Sequence, residues 1–377
     1  MNDTLQTSLS SGFNASNETT IIDTTIIHTT IVQSTGDGGE EALRITRLVC
    51  VGFIGLGLSI IGVPSNAVTC LVFARQRLRE RMNLCLFCLA LVDLGLMTLS
   101  LGYSFVAMLS YLEVLGFDEE HYYKAVLYAL SSIYALRATS GCYNVVIAVE
   151  RCICVMLPLH AAALIRTRSM GVLLAILPLL LQAGFLTLPL KFQLVQTEIM
   201  GTVQWRLIPS RLWLKNQFVF DFILYTVLST TLPLVTFLII SVATLITVIK
   251  LKVSIKWRKN QTSTSQDANR HQTALTKVLV VVSLVYIITM LPFVGYIAGY
   301  LFEDQFSTFG RYAYLYMTFS SVVNVFPVVN CSFTFFIYYS RSTRFREDLS
   351  ALLRGQKTLK PTQLSQKTVS VRKKTSL

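Results

Sequence analysis

The chain has 377 residues, 53% of them apolar and only 14% charged, a balance that excludes an ordinary soluble domain and places the protein in the membrane class. Its net charge of +13 is read as a topology signal, because the basic residues gather in a few segments between apolar runs. No nucleic-acid partner is expected.

Residues 1–47 are read as an extracellular disordered segment, rich in Thr, Ser and Asn and without the basic-then-apolar start of a cleavable signal. Asn2-Asp3-Thr4, Asn14-Ala15-Ser16 and Asn17-Glu18-Thr19 fit N-glycosylation acceptors, so glycans are expected on Asn2, Asn14 and Asn17. Asn260-Gln261-Thr262 also fits but lies in a basic loop. A plain disordered tail is the simpler reading, and it is compatible with glycosylation.

Residues 48–340 carry seven apolar runs, at Val49 to Ala74, Asn83 to Leu109, Ala125 to Leu157, Met170 to Leu190, Phe218 to Ile249, Ala274 to Leu301 and Tyr312 to Tyr339. Each is long enough for a helix across a hydrocarbon core of about 30 Å. The expected fold is therefore an all-α membrane protein, a seven-transmembrane helix bundle in a lipid bilayer. Arg75, Arg77, Arg79 and Arg81 follow the first run, Arg166 and Arg168 the third, and six Lys and Arg from Lys250 to Arg270 the fifth. Acidic residues, Asp118 to Glu120 and Glu303-Asp304 among them, occupy the opposite side. This bias puts the N-terminus outside in a multi-pass plasma-membrane protein. None of the eight cysteines falls in an outside segment, so no extracellular disulfide is expected.

The second run carries Asp93 near its middle, where a lone carboxylate is costly. Ser140 and Asn330 fall at comparable depth on the third and seventh runs, and Asn66 is polar in the first. An oxygen-lined site of Asp93, Ser140 and Asn330 suits a sodium ion; a protonated Asp93 in a polar cluster with Asn66 explains the same residues.

On the third run, Ile133, Arg137, Ser140 and Arg151 share one helical face. Arg137 stands about 21 Å outward of Arg151 at 1.5 Å per residue, in the outer half of the membrane. An arginine there is costly by roughly 2.5 to 3.5 kcal/mol unless it finds a partner. It either receives an acidic ligand or pairs with Asp221 at the outer end of the fifth run. Glu150 and Arg151, at the inner end, form a charge pair that can be broken and remade.

Prolines Pro64, Pro178, Pro189, Pro233, Pro292 and Pro327 fall inside or at the ends of the runs and predict kinks. Residues 341–354 read as a short amphipathic C-terminal surface helix, with Phe345, Leu349, Leu352 and Leu353 at helical spacing among arginines. Residues 355–377 read as a cytoplasmic disordered tail. Thr262, Ser263, Thr264, Ser265, Thr375 and Ser376 are candidate phosphosites for recruiting an arrestin, and Thr375-Ser376-Leu377 fits a ligand for a PDZ domain. The four histidines all fall in tails or loops, and no phosphate-cradling glycine loop is present, so an enzyme is not expected.

The ordered set of motifs resembles the rhodopsin-like (class A) family of G-protein-coupled receptors. The matches are Asn66, Leu89-Ala90-Leu91-Val92-Asp93, Glu150-Arg151-Cys152 with the trailing Pro158-Leu159, Pro233, Pro292, and Asn330 through Tyr338. The resemblance implies an activation switch of Glu150, Arg151, Cys152, Pro158 and Tyr338, a ligand pocket near Ile133, Arg137, Asp221 and Met290, and a heterotrimeric G protein as partner. Departures mark a divergent member: Cys152 replaces the usual tyrosine, Thr334-Phe335 the usual Asn-Pro, Met290 a tryptophan and Ser241 a tyrosine, and the outer disulfide of the family is missing.

No lysine lies in the seventh run, so retinal is not expected as a cofactor, and Ile133 in place of an aspartate argues against a monoamine. The resemblance is to invertebrate peptide or chemosensory receptors. A neuropeptide is the expected ligand, with a small acidic molecule as the alternative. A membrane transporter is the competing class, although the seven runs show no internal repeat.

Overall fold

The computed structural model describes residues 38–76, 78, 80–112, 119–157, 166–199, 202–259, 266–307 and 310–354. Asn2, Asn14, Asn17, Pro158, the candidate phosphosites and the C-terminal tripeptide lie outside the described residues.

Among the described residues, seven helices are long and apolar enough to cross a membrane. They are α1 (Gly38–Arg75), α2 (Arg81–Tyr111), α3 (Glu120–Met156), α4 (Thr167–Lys191), α5 (Gln217–Ser254), α6 (Ala274–Phe302) and α7 (Ala313–Arg341). A short helix α8 (Thr343–Leu353) follows. The expected bundle and its surface helix are both present.

Two features add to it. Strands β1 (Phe192–Ile199) and β2 (Thr202–Pro209) form an antiparallel hairpin between α4 and α5. The end of the bundle bearing this hairpin is called the outer end, following the charge bias. Helix also begins at Gly38, so residues 38–47 are not the irregular chain expected of them: Glu40 and Glu41 sit in the first turn, Arg44 and Arg47 in the last, and Glu41 pairs with Arg44 at 3.1 Å.

α3 is the least apolar span yet the most enclosed: 56% of its apolar window is buried in the bundle, against 17% for α4. Its polar residues therefore face neighbouring helices. At Gly62 of α1 a methyl group would come within 2.7 Å of the Met97 sulfur and 3.0 Å of the Ser332 hydroxyl, so glycine lets α1 close onto α2 and α7 without displacing those side chains.

Local irregularities gather toward the outer end. Leu48–Ile54, Ala125–Ala129 and Phe222–Thr231 are π-helical, a widened geometry that is frequent at functional sites. α7 is interrupted at Asn324 between Ala313–Val323 and Val325–Arg341, because Pro327 has no N–H for the Val323 carbonyl one turn back.

α8 is held to the bundle on its apolar side. Ser342 caps it by accepting from the Phe345 N–H at 3.2 Å. Phe345, 1% exposed, packs against the rings of Phe73, Phe335 and Tyr338. Gln76 Nε2 donates to Asp348 Oδ2 at 2.6 Å, fastening α8 to the end of α1.

Candidate functional site

At the inner end, Arg151 Nε donates to Glu150 Oε2 at 2.6 Å, with side-chain exposures of 11% and 1%. The other carboxylate oxygen accepts from the Cys154 thiol at 3.3 Å. A buried carboxylate is stable only when paired and hydrogen-bonded, and these two donors together satisfy it. Cys152 packs with Ala148, Ile240, Ala243, Tyr286 and Met290 and directs its thiol to Met156. Tyr338, expected to join the switch, is not a partner of Arg151: it is buried against Phe73 and Phe345, and its hydroxyl has no hydrogen-bond partner. Ser241 and Thr244 hydroxyls on α5 are likewise buried without partners.

In the middle of the bundle, Ser140 donates to Asp93 Oδ1 at 2.7 Å, as expected of that pair. The second donor is the Cys331 thiol at 3.3 Å, where Asn330 was the expected neighbour. The substitution follows from helix geometry, since adjacent residues are turned about 100° apart. Asn66 Nδ2 donates to the carbonyls of Gly62 and Cys331 at 3.0 and 3.1 Å. Cys331 thus joins α1 and α2 to α7, while Ser140 adds α3. The donors that reach Asp93 are a hydroxyl and a thiol, and a thiol is a poor ligand for a hard cation such as sodium. Among the described residues no cluster of three His, Cys, Asp or Glu is placed to hold a metal ion.

At the outer end, of the two alternatives for Arg137 the pairing with Asp221 does not occur. Asp221 Oδ1 accepts instead from Lys191 Nζ at 2.9 Å and Trp213 Nε1 at 3.1 Å. Lys191, at the last turn of α4, is nearer in space and well held: its ammonium donates to the Tyr225 hydroxyl at 3.1 Å and lies 4.7 Å from the rings of both Trp213 and Tyr225. Ser210 closes the base of the hairpin on this group by donating from its N–H to the Lys191 carbonyl and from its hydroxyl to the Leu190 carbonyl.

Arg137 is left with a neutral partner. Its Nη1 donates to Asn324 Oδ1 at 2.5 Å, its guanidinium lies 5.4 Å from the Tyr134 ring centre, and its buried Nε has no partner. Asn324 in turn donates to the Ser320 hydroxyl. The break in α7 is what turns Asn324 to this position. Ile133 and Met290, expected beside Arg137, are buried in two separate apolar clusters, Ile133 with Leu96, Met97 and Val328, Met290 with Ile240 and Tyr286. The four expected pocket residues therefore do not form one lining, and Asn324 and Tyr134 are the neighbours that sequence reasoning missed. The signal for Asn324 was a polar residue one turn before a helix-breaking proline.

A family model described as 7 transmembrane receptor (rhodopsin family) matches residues 65–338. The chain belongs to the rhodopsin-like receptor family. No curated protein matches it. The family consists of multi-pass membrane receptors rather than enzymes or transporters, and it implies an extracellular ligand and a G-protein partner. The match covers α3 with its charge pair and ends at Tyr338.

Proposed function

We propose that this receptor recognises an anionic ligand at Arg137 and relays its binding to a heterotrimeric G protein by releasing Arg151 from Glu150. The observation that carries the ligand class is the state of Arg137, a cation deep in the bundle with an amide as its hydrogen-bond acceptor, an unpartnered Nε and no acidic partner among the described residues. A ligand carboxylate would supply the missing charge in the forked geometry that guanidinium favours.

Met290, Tyr286, Ile240 and Cys152 lie in one apolar cluster shared by α3, α5 and α6. Packed groups of this kind shift between discrete arrangements, so a change at the outer end of α6 is felt beside Arg151. The ligand acts through its differential affinity for the two arrangements, with about 1.4 kcal/mol for each tenfold shift. The unpartnered hydroxyls of Ser241, Thr244 and Tyr338 are groups that a second arrangement can satisfy.

The ligand is read as a neuropeptide. A two-stranded hairpin at the outer end offers edge backbone groups to an extended chain, and a peptide C-terminus supplies the carboxylate. A small acidic molecule sensed by a chemosensory receptor is the second reading, favoured by the enclosed position of Arg137. Both set the N-terminus outside at the plasma membrane, with Asn2, Asn14 and Asn17 open to glycosylation, and the arrestin and PDZ contacts at the inner side.

Coupling is tested without a ligand by nucleotide exchange on a G protein mixed with purified receptor in lipid nanodiscs. Glu150→Gln should raise basal exchange several-fold and Arg151→Ala should abolish it. Equal exchange by the wild type and both variants, each with an intact thermal unfolding transition, would reject the assignment.

A further inference from the structure

Arg137 is not the only arginine at the outer end that lacks an acidic partner among the described residues. Arg47, half-buried on α1, directs Nη2 to the sulfur of Met317 at 3.8 Å, a weak acceptor. Met317 and Asn324 lie two turns apart on one face of α7, about 10.5 Å along its axis. Arg47 touches the upper position and Arg137 the lower. The Tyr134 ring lies 5.4 Å from the Arg137 guanidinium.

Among the described residues, no acid at this end pairs with either arginine. Glu41 pairs with Arg44, Glu120 with Lys124 and Asp221 with Lys191, while Glu40, Glu303 and Asp304 are exposed. Two guanidinium groups with no acidic partner among the described residues, one of them beside the Tyr134 ring, raise the local concentration of anions and repel cations.

We propose that the outer end of the bundle binds an extended dianion, with one carboxylate on Arg137 and a second on Arg47, two arginines whose contacts on α7 stand about 10 Å apart along the helix axis. This deepens the assignment of an anionic ligand to Arg137 and rests on it. Two sources share this chemistry: a chain with a carboxylate at each end, and a peptide with a free C-terminus and an acidic side chain two residues before it. Tyr134 beside Arg137 supplies an apolar face and a hydroxyl group that the spacer would meet.

Matched pairs test the idea on the full-length receptor in nanodiscs. Octanedioate is compared with its monomethyl ester, and the peptide Ac-Glu-Ala-Ala with Ac-Gln-Ala-Ala, each by its effect on thermal unfolding. In at least one pair the dianion should bind at least tenfold more tightly than its monoanion. Arg47→Gln should bring that dianion down to the level of its monoanion, and Arg137→Gln should weaken both members. The pair that shows the preference identifies the source. Equal affinity within both pairs, or a preference that survives in Arg47→Gln, overturns this inference and leaves the Arg137 assignment standing. Failure of all four probes to bind the wild type at millimolar concentration overturns both.

Discussion

Cys154 donates its thiol to one oxygen of Glu150 at 3.3 Å while the adjacent arginine holds the other at 2.6 Å. The carboxylate, 1% exposed, is thus clamped from both sides within one helical turn. Replacing Cys154 with Ala removes one clamp and leaves a buried acceptor short of a donor, at about 1 kcal/mol. Basal nucleotide exchange should rise roughly fivefold, whereas Cys154→Ser, which keeps a donor, should stay near wild type. Identical exchange in Cys154→Ala and wild type would remove the thiol from the switch.

Cys331 makes a second prediction. Its thiol serves Asp93 and its carbonyl serves Asn66. Cys331→Ser preserves a donor of similar size and should unfold at nearly the wild-type temperature. Cys331→Ala deprives the buried Asp93 of a bond and should lower the midpoint by a few degrees, in line with about 1 kcal/mol for a domain of this size. The midpoint is read by thermal unfolding in nanodiscs, and a Cys331→Ala midpoint equal to wild type would show that the thiol does not support Asp93.

The hairpin carries a third. No disulfide ties it down, as all eight cysteines are free, and the Lys191–Asp221 pair with Trp213 and Tyr225 takes that part. Lys191→Ala should lower the hydrogen-exchange protection of β1 and β2 on the order of tenfold, since local opening follows lost contacts. The exchanged pair Lys191→Asp with Asp221→Lys should restore much of it. Unchanged protection in Lys191→Ala would mean that strand pairing alone holds the hairpin.

Phe345 tests the docking of α8. Burying its ring between Phe73, Phe335 and Tyr338 predicts that Phe345→Ala costs about 3 to 5 kcal/mol, with lower surface expression and weaker protection of α8. Phe345→Leu should recover most of the loss. A Phe345→Ala receptor with normal protection across Thr343–Leu353 would show that the helix is held from the lipid side alone.

The seven spans were legible because apolar runs of membrane length leave little choice, and the Glu150-Arg151 pair because charges at a membrane helix end need each other. The Asp93–Ser140 bond was legible from depth alone. Side-chain direction was not: Cys331 and Asn330 have the same depth and differ by one step of helical rotation. Depth left Arg137 either to a ligand or to Asp221; Lys191 at the end of α4 had the closer claim on Asp221, and the break at Asn324 offered Arg137 an amide. The hairpin was missed because only its second strand, Thr202 to Leu207, alternates polar and apolar residues, while Leu194-Val195 and Gln196-Thr197-Glu198 break the alternation in the first.

The most direct test of the central claim is a response screen in cells expressing the wild type or Arg137→Ala, with surface labelling to establish equal delivery to the plasma membrane. Peptide extracts and a panel of carboxylic acids are applied, and G-protein activation is read. The account predicts that the wild type responds to an acidic component and that Arg137→Ala loses at least tenfold in sensitivity to it. An undiminished response in Arg137→Ala, or a wild type that answers only to neutral or cationic components, would contradict it.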